Sequence, residues 1–399
     1  MARNISVLME LLKNKDITVD RLMFWGFCGT FFFIPIATSP AVIMGLLTLS
    51  LWIFSGKFIK DRHLWLKQKW FFPVLLFMAL PWIGLLYTND IKIGMDFAKK
   101  SYYWLYAFAI ASLSCKKYPA KTMIYAFLFG LLFTAFITIM EAVGLVPMPK
   151  GMATGFMGHI SFSLLLVFGI LLVSFFYKTA NNVKQRILLI MTMVIYFFSL
   201  SVGQGRIGYF AFLVLSPWIF FNIMGKKYIF KIAGAVLLIG LLLFSSSTVQ
   251  NRVGLVVNDV KLYYHGNKNT SIGLRLYMWD GAAKLFLENP VIGVGTGGYK
   301  KAMMKYKDNP ELPDIVQPHN SFLYMAVSFG IVGLFSLIWL FLVFLKKGWQ
   351  ARNSIVGFSV LSFGVVLLIG SLTDTQILSL ATAKMLALLT GIRTEQDGS

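Results

Sequence analysis

Three side chains of this 399-residue chain combine a reactive type with a telling position. Arg206 lies in Ser201-Val202-Gly203-Gln204-Gly205-Arg206-Ile207-Gly208, a hairpin of almost no length between two apolar runs. Arg275 opens a helical stretch, and His319 sits in Gln317-Pro318-His319-Asn320-Ser321, just ahead of another apolar run. A guanidinium grips phosphate oxygens through two parallel, charge-assisted hydrogen bonds. An imidazole titrates near ~6.5 when unperturbed, so it can take a proton from a hydroxyl at neutral pH. Lys99, Lys100, His159 and Asp374 fall at equivalent places, beside the ends of apolar runs. Asn320 joins them as a substrate-binding candidate, and it or Ser321 can cap the run that follows. Cations, two imidazoles and one carboxylate suit an anionic, lipid-borne substrate held at one membrane face. Three of these members also have a plainer reading. Arg206 can be a snorkelling interfacial anchor, Arg275 a surface charge paired with Asp280 or phospholipid, and His319 a structural residue at a helix start.

The elements that must position these groups are set by composition. Hydrophobic residues make up 57% of the chain and charged residues 13%, against about 25% charged in soluble domains. That excludes a soluble globular enzyme, a disordered chain and a coiled coil. Several apolar blocks reach about 17 residues or more, enough to cross a hydrocarbon core of ~30 Å. The expected architecture is an all-α polytopic membrane protein with about twelve spans. They fall near 22–38, 40–56, 71–87, 100–115, 122–141, 160–177, 187–203, 207–223, 229–247, 320–345, 354–371 and 376–392. The last is interrupted by Lys384. Cys28 and Cys115 form no disulfide framework. The first 21 residues are too charged for the apolar region of a cleavable signal, so the first span is expected to stay.

Net charge is +21, from 37 Lys+Arg against 16 Asp+Glu. Nucleic acid is not the implied partner, because cytoplasmic loops of membrane proteins retain Lys and Arg. The basic clusters 57–69, 116–121, 178–186, 226–231 and 346–352, with the N-terminal region and Arg393, fall on one side. The opposite short loops hold only Lys92, Lys99, Lys100, Lys150 and Arg206. Both termini are therefore expected in the cytoplasm. The long segment 248–317 is expected outside, between a unit of nine spans (1–247) and one of three (318–399). That loop contains a helical stretch, 272–288, with Leu274, Met278, Ala282 and Leu285 at three- to four-residue spacing and Asn289-Pro290 ending it. Gly293-Val294-Gly295-Thr296-Gly297-Gly298 fits G-x-G-x-x-G literally. A dinucleotide site is rejected because no βαβ unit surrounds it. It is read as a plain flexible turn, with the option that it bends the loop back over the membrane.

The pattern resembles the O-antigen ligase family, within a group that includes O-antigen polymerases and bacterial protein O-oligosaccharyltransferases. The resemblance covers the span layout and is strongest over 199–372. Its carriers are Val249-Gln250-Asn251-Arg252, Ser271-Ile272-Gly273-Leu274-Arg275-Leu276, Asn289-Pro290-Val291-Ile292-Gly293-Val294-Gly295, Pro318-His319-Asn320-Ser321-Phe322-Leu323 and Gly330-Ile331-Val332-Gly333-Leu334. It implies a membrane glycosyltransferase of the GT-C type in the bacterial inner membrane, its site facing the periplasm. The implied reaction moves a glycan from undecaprenyl pyrophosphate to a sugar hydroxyl of lipid A core, without a metal or other cofactor. Arg206 and Arg275 would bind the pyrophosphate, and His319 would orient or deprotonate the acceptor hydroxyl. Asp374 resembles an acid found near the last outer turn. Gln317 stands where some members carry a second histidine, and Gly-Gln-Gly-Arg replaces a Ser/Thr-rich lead-in.

Other readings stay open at this point. A polymerase would use the same donor with a lipid-linked repeat as acceptor. A protein O-oligosaccharyltransferase would use Ser or Thr. A transporter of lipid-linked sugars would place its charges at the midplane, where Lys384 is the exception to a set otherwise gathered at one face.

Overall fold

The computed structural model describes residues 2–114, 117–148, 151–203, 205–231, 234, 247–307, 310 and 312–393. Cys115, Lys116, Lys150, Gln204 and most of the expected ninth span, 229–247, lie outside the described residues. Every regular element among the described residues is helical. In chain order we label α1 (Ala2–Phe33), α2 (Thr38–Phe54), α3 (Phe71–Ile83), α4 (Ile91–Ala98), α5 (Leu105–Ala111), α6 (Ala120–Ala142) and α7 (His159–Thr179). There follow α8 (Val183–Val202), α9 (Arg206–Met224), α10 (Ser247–Tyr264), α11 (Ser271–Glu288), α12 (Ser321–Gln350), α13 (Ile355–Ser371) and α14 (Leu380–Gly391).

Five of these, α6, α7, α8, α9 and α12, are long and apolar enough to cross a membrane by length and composition. Thr38–Phe54, Phe71–Leu86, Ile355–Ser371 and Leu380–Gly391 are shorter apolar helices. The helix α7 is apolar all round and buried from Phe162 to Phe176, as expected of an element surrounded by others. It packs against α9, α8 and α13. The starts of α7, α9 and α12 share one end, linked through Ser161, Gln376, Asp374 and His319 and through the seat of Gly205 against Ser163.

Two expected spans begin in irregular backbone rather than as α-helix. The segment 100–115 begins as a 3-10 stretch, Lys99–Trp104, and only then becomes α5. The segment 376–392 begins with the 3-10 turn Gln376–Leu378 before α14. Twelve helical residues rise only about 18 Å, so α14 is shorter than a ~30 Å core. Both breaks lie at the polar end of the bundle, where irregular backbone is tolerated if it lines a protein site. The two short helices meet closely. A Cβ on Gly391 would lie 2.0 Å from the Ala107 carbonyl oxygen, so only glycine lets α14 lie against α5.

The Gly-rich turn is docked, not free. Helix α12 is broken at Gly330, where φ is +62° and ψ −150°. The break releases backbone groups, and the turn supplies their partners. Val294 N donates to Val327 O (2.8 Å), Gly295 N to Ser328 O (3.0 Å), and Ile331 N to Pro290 O (2.8 Å). On the other side Thr296 donates its hydroxyl to Pro81 O (2.6 Å) and its amide to Gly84 O (3.2 Å). The turn therefore clamps the loop between α3 and α12. Helix α11 spans Ser271–Glu288, close to the stretch expected from periodicity. Its buried Met278, Ala282 and Leu285 face inward. Ala282 and Leu285 share a small apolar cluster with Tyr277, Tyr299, Met303 and Val327 of α12. Thr270 caps it, accepting from Gly273 N at 3.0 Å.

Candidate active site

His319 is held in place from both sides. Pro318 O accepts from Trp279 Nε1 of α11 at 3.1 Å. Asn320 is the N-cap of α12, its Oδ1 accepting from Phe322 N (2.9 Å) and Leu323 N (3.1 Å). Its Nδ2 donates to Leu372 O at 2.9 Å, tying α12 to the end of α13. Between these anchors His319 takes φ +47°, the one positive φ outside glycine among the described residues. Such a conformation is uncommon for a non-glycine residue and persists where surrounding structure over-determines it.

The imidazole faces Asp374, with Nδ1 2.8 Å from Oδ1. An ionised carboxylate only accepts. In the tautomer whose Nδ1–H donates to such a carboxylate, Nε2 is the nitrogen left to accept. The His319 side chain is 42% exposed and that of Asp374 15%, so the ring can reach a ligand while its partner is shielded. Asp374 is itself oriented. Its Oδ2 accepts from Gln376 Nε2 at 2.6 Å. Gln376 is fully buried, and its Oε1 accepts from Thr382 (3.1 Å) and Ser161 (3.4 Å). Ser161 also shares a hydrogen bond with Ser379 at 2.7 Å. A continuous network thus runs from His319 through Asp374 and Gln376 to the first turn of α7. The 3-10 turn after α13 carries Gln376 into this network.

The same turn of α7 receives the short hairpin. A Cβ on Gly205 or Gly208 would come within 2.4 Å of Ser163 Cβ, and one on Gly205 within 2.8 Å of His159 O. The glycines let the hairpin seat against α7, and Arg206, exposed, begins α9 there. Arg275 is half-buried on α11. It lies four residues before Trp279, hence on the same helical face one turn away, beside the residue that touches Pro318. Neither guanidinium bonds to another described residue. The alternative Arg275–Asp280 pair is not formed, because Asp280 pairs with Lys284 at 2.8 Å.

The remaining candidates divide. Lys100 is half-buried and donates to Leu378 O at 3.3 Å, two residues beyond Gln376, with its ammonium 5.3 Å from the Phe97 ring centroid. His159 is half-buried at the start of α7, beside the hairpin. Lys99 is exposed and makes no contact with the network. Asn320 spends its carbonyl on the cap and one amide hydrogen on Leu372. Lys384 is fully buried in α14, its ammonium over the Tyr103 ring at 5.3 Å. Sequence reasoning missed Gln376, Ser161 and Trp279. The only signal for Gln376 was a polar residue at the start of an apolar run two positions after Asp374.

Fold and site together define an all-helical membrane protein with a polar centre at one end of its bundle, roofed by a docked loop. Residues 191–338 match the model of the O-antigen ligase family, which supports the resemblance seen in the sequence. An uncharacterized protein of Haemophilus influenzae is 26% identical over 239 residues, covering 56% of this chain and 59% of that protein. A Rickettsia conorii protein provisionally named a polysaccharide ligase is 26% identical over 174 residues, 42% of this chain and 41% of its own. An Escherichia coli protein named O-antigen ligase is 22% identical over 196 residues, 47% of this chain and 46% of that one. The chain spans about half the length of these relatives.

Proposed function

We propose that this protein is an O-antigen ligase. It transfers a glycan from undecaprenyl pyrophosphate to a sugar hydroxyl of lipid A core. The observation that carries the reading is the His319–Asp374 pair at 2.8 Å; Arg206 and Arg275, neither with a counter-ion among the described residues, are assigned to the same site by this reading. The acceptor hydroxyl gives its proton to His319 Nε2 as its oxygen attacks the anomeric carbon. The bond from that carbon to the pyrophosphate oxygen breaks, and the pyrophosphate leaves as an anion. Asp374 stabilises the imidazolium that forms, and Gln376 keeps the carboxylate in line. Arg206 and Arg275 stabilise the charge growing on the leaving group, a preorganised electrostatic role. Base catalysis of this kind contributes about 10²–10⁴-fold.

In this reading the chain is a twelve-span GT-C glycosyltransferase of the inner membrane, with both termini cytoplasmic. The segment 248–317 and the His319 end of the bundle lie in the periplasm. Lys99, Lys100 and His159 add positive or polar character to the donor site. The discriminating experiment supplies purified, reconstituted protein with a polyprenyl-pyrophosphate-linked glycan and rough lipopolysaccharide. Glycan on lipid A core, with release of the carrier pyrophosphate, is the expected product. Chain growth on the carrier would instead identify a polymerase, and glycan on a protein Ser or Thr an oligosaccharyltransferase.

A further inference from the structure

At the end of the bundle opposite His319, helix ends line an open cavity of about 740 Å³, within the ~300–1,000 Å³ range of small-molecule sites. It is remote from the proposed chemistry. Its residues Lys178 and Thr179 end α7, and Trp349 lies at the end of α12 with Arg352 just beyond. The part of α12 beyond the Gly330 break, 331–350, by itself rises about 30 Å. The walls are aromatic. Phe358 lies between Phe175 (centroids 4.6 Å apart) and Trp218 (5.2 Å).

The mouth is basic. Lys178 is exposed and has no ion pair or hydrogen bond to a described residue. Arg352 is held over the Trp349 ring at 4.5 Å and donates to Trp349 O at 2.9 Å, which fixes its guanidinium at the rim. No Asp or Glu is among the described lining residues. Two cations over an aromatic, apolar chamber at the ends of membrane helices complement a molecule with an anionic head and hydrocarbon tails. Basic sites between helices at a membrane surface recognise anionic lipid heads in this way, and Trp marks the interfacial level.

We propose that this cavity is a binding site for an anionic phospholipid of the leaflet at the Gln350 end of the bundle. Lys178 and Arg352 hold the phosphate, and Trp218, Phe221 and Phe358 hold the acyl chains. This does not depend on the glycan-transfer reading. The test is native mass spectrometry of the full chain released from bilayers of equal phosphatidylglycerol and phosphatidylcholine. Wild type should retain phosphatidylglycerol in preference to phosphatidylcholine. The pair Lys178→Gln with Arg352→Gln should retain it about thirtyfold more weakly, given the usual contribution of each basic residue near an anionic head. The pair Lys178→Arg with Arg352→Lys should keep it. Equal retention of the two lipids by wild type overturns the proposal, whatever the variants do. So does an unchanged phosphatidylglycerol signal in a folded double Gln variant.

Discussion

A histidine at φ +47° with its ring against a shielded carboxylate is not a resting arrangement for a helix cap. Backbone strain of this kind costs about 1–3 kcal/mol, and Asn320 alone could cap α12. Asp374→Asn keeps the shape but gives Nδ1 a neutral partner and no stabiliser for an imidazolium. It should lower the transfer rate by at least about 10²-fold while leaving expression unchanged. Arg275→Ala should cost about 10- to 100-fold, as expected for losing hydrogen bonds to a charged group. Arg275→Lys should recover only part, because an ammonium lacks the paired donors. Initial rates with saturating acceptor read both. The residue types at this site were legible in the sequence, since a cation, imidazole or carboxylate beside an apolar run has few cheap explanations. Their pairing was not. His319 and Asp374 are 55 positions apart, and which residues at that end of the helices meet depends on packing that no local pattern encodes.

Helices were read well where periodicity or apolar length dominates. The loop helix 272–288 and the runs at 122–141, 160–177 and 320–345 have counterparts in α11, α6, α7 and α12. The misreadings share a cause. The Gly-rich turn and the 3-10 starts near Lys99 and Gln376 are shaped by partners distant in sequence, and composition alone makes them look like loop or span. Gly330 is the clearest case. A Cβ there would meet Val291 C and O at 2.2 Å, in backbone that cannot yield. Gly330→Ala should release the 290–295 turn from α12, seen as faster amide exchange at Val294 and Gly295. In the 248–317 segment, Lys305 and Tyr306 hold the Glu288 carboxyl below its ordinary range, and Lys300 and Lys307 do the same for Asp314. A depressed carboxyl stabilises the fold above its unfolded value and stops doing so as pH falls through the folded one. Loop protection should therefore persist through neutral and weakly acidic pH and fade only below the usual carboxylate range. Lys384 offers a further check. Lys384→Met, which keeps volume and removes a buried cation, should leave transfer intact. Abolished transfer would assign the ammonium a working role.

Among the described residues, the His319 network lies at one end of the helices and Lys178 with Arg352 at the other. The proposed reading turns the His319 end toward the periplasm, and that orientation is measurable. A cysteine placed in the 248–317 loop should react with a membrane-impermeant thiol reagent from the periplasm, and one after Arg352 should not. The most direct test of the His319–Asp374 unit is a two-residue cycle on reconstituted protein. It compares initial rates of glycan transfer to rough lipopolysaccharide for wild type, His319→Ala, Asp374→Asn and the double variant. Residues that act as one unit give non-additive losses. Each single change should slow transfer at least about 10²-fold, with the double no slower than His319→Ala. Wild-type rates in both single variants, or losses that multiply, would contradict the assignment.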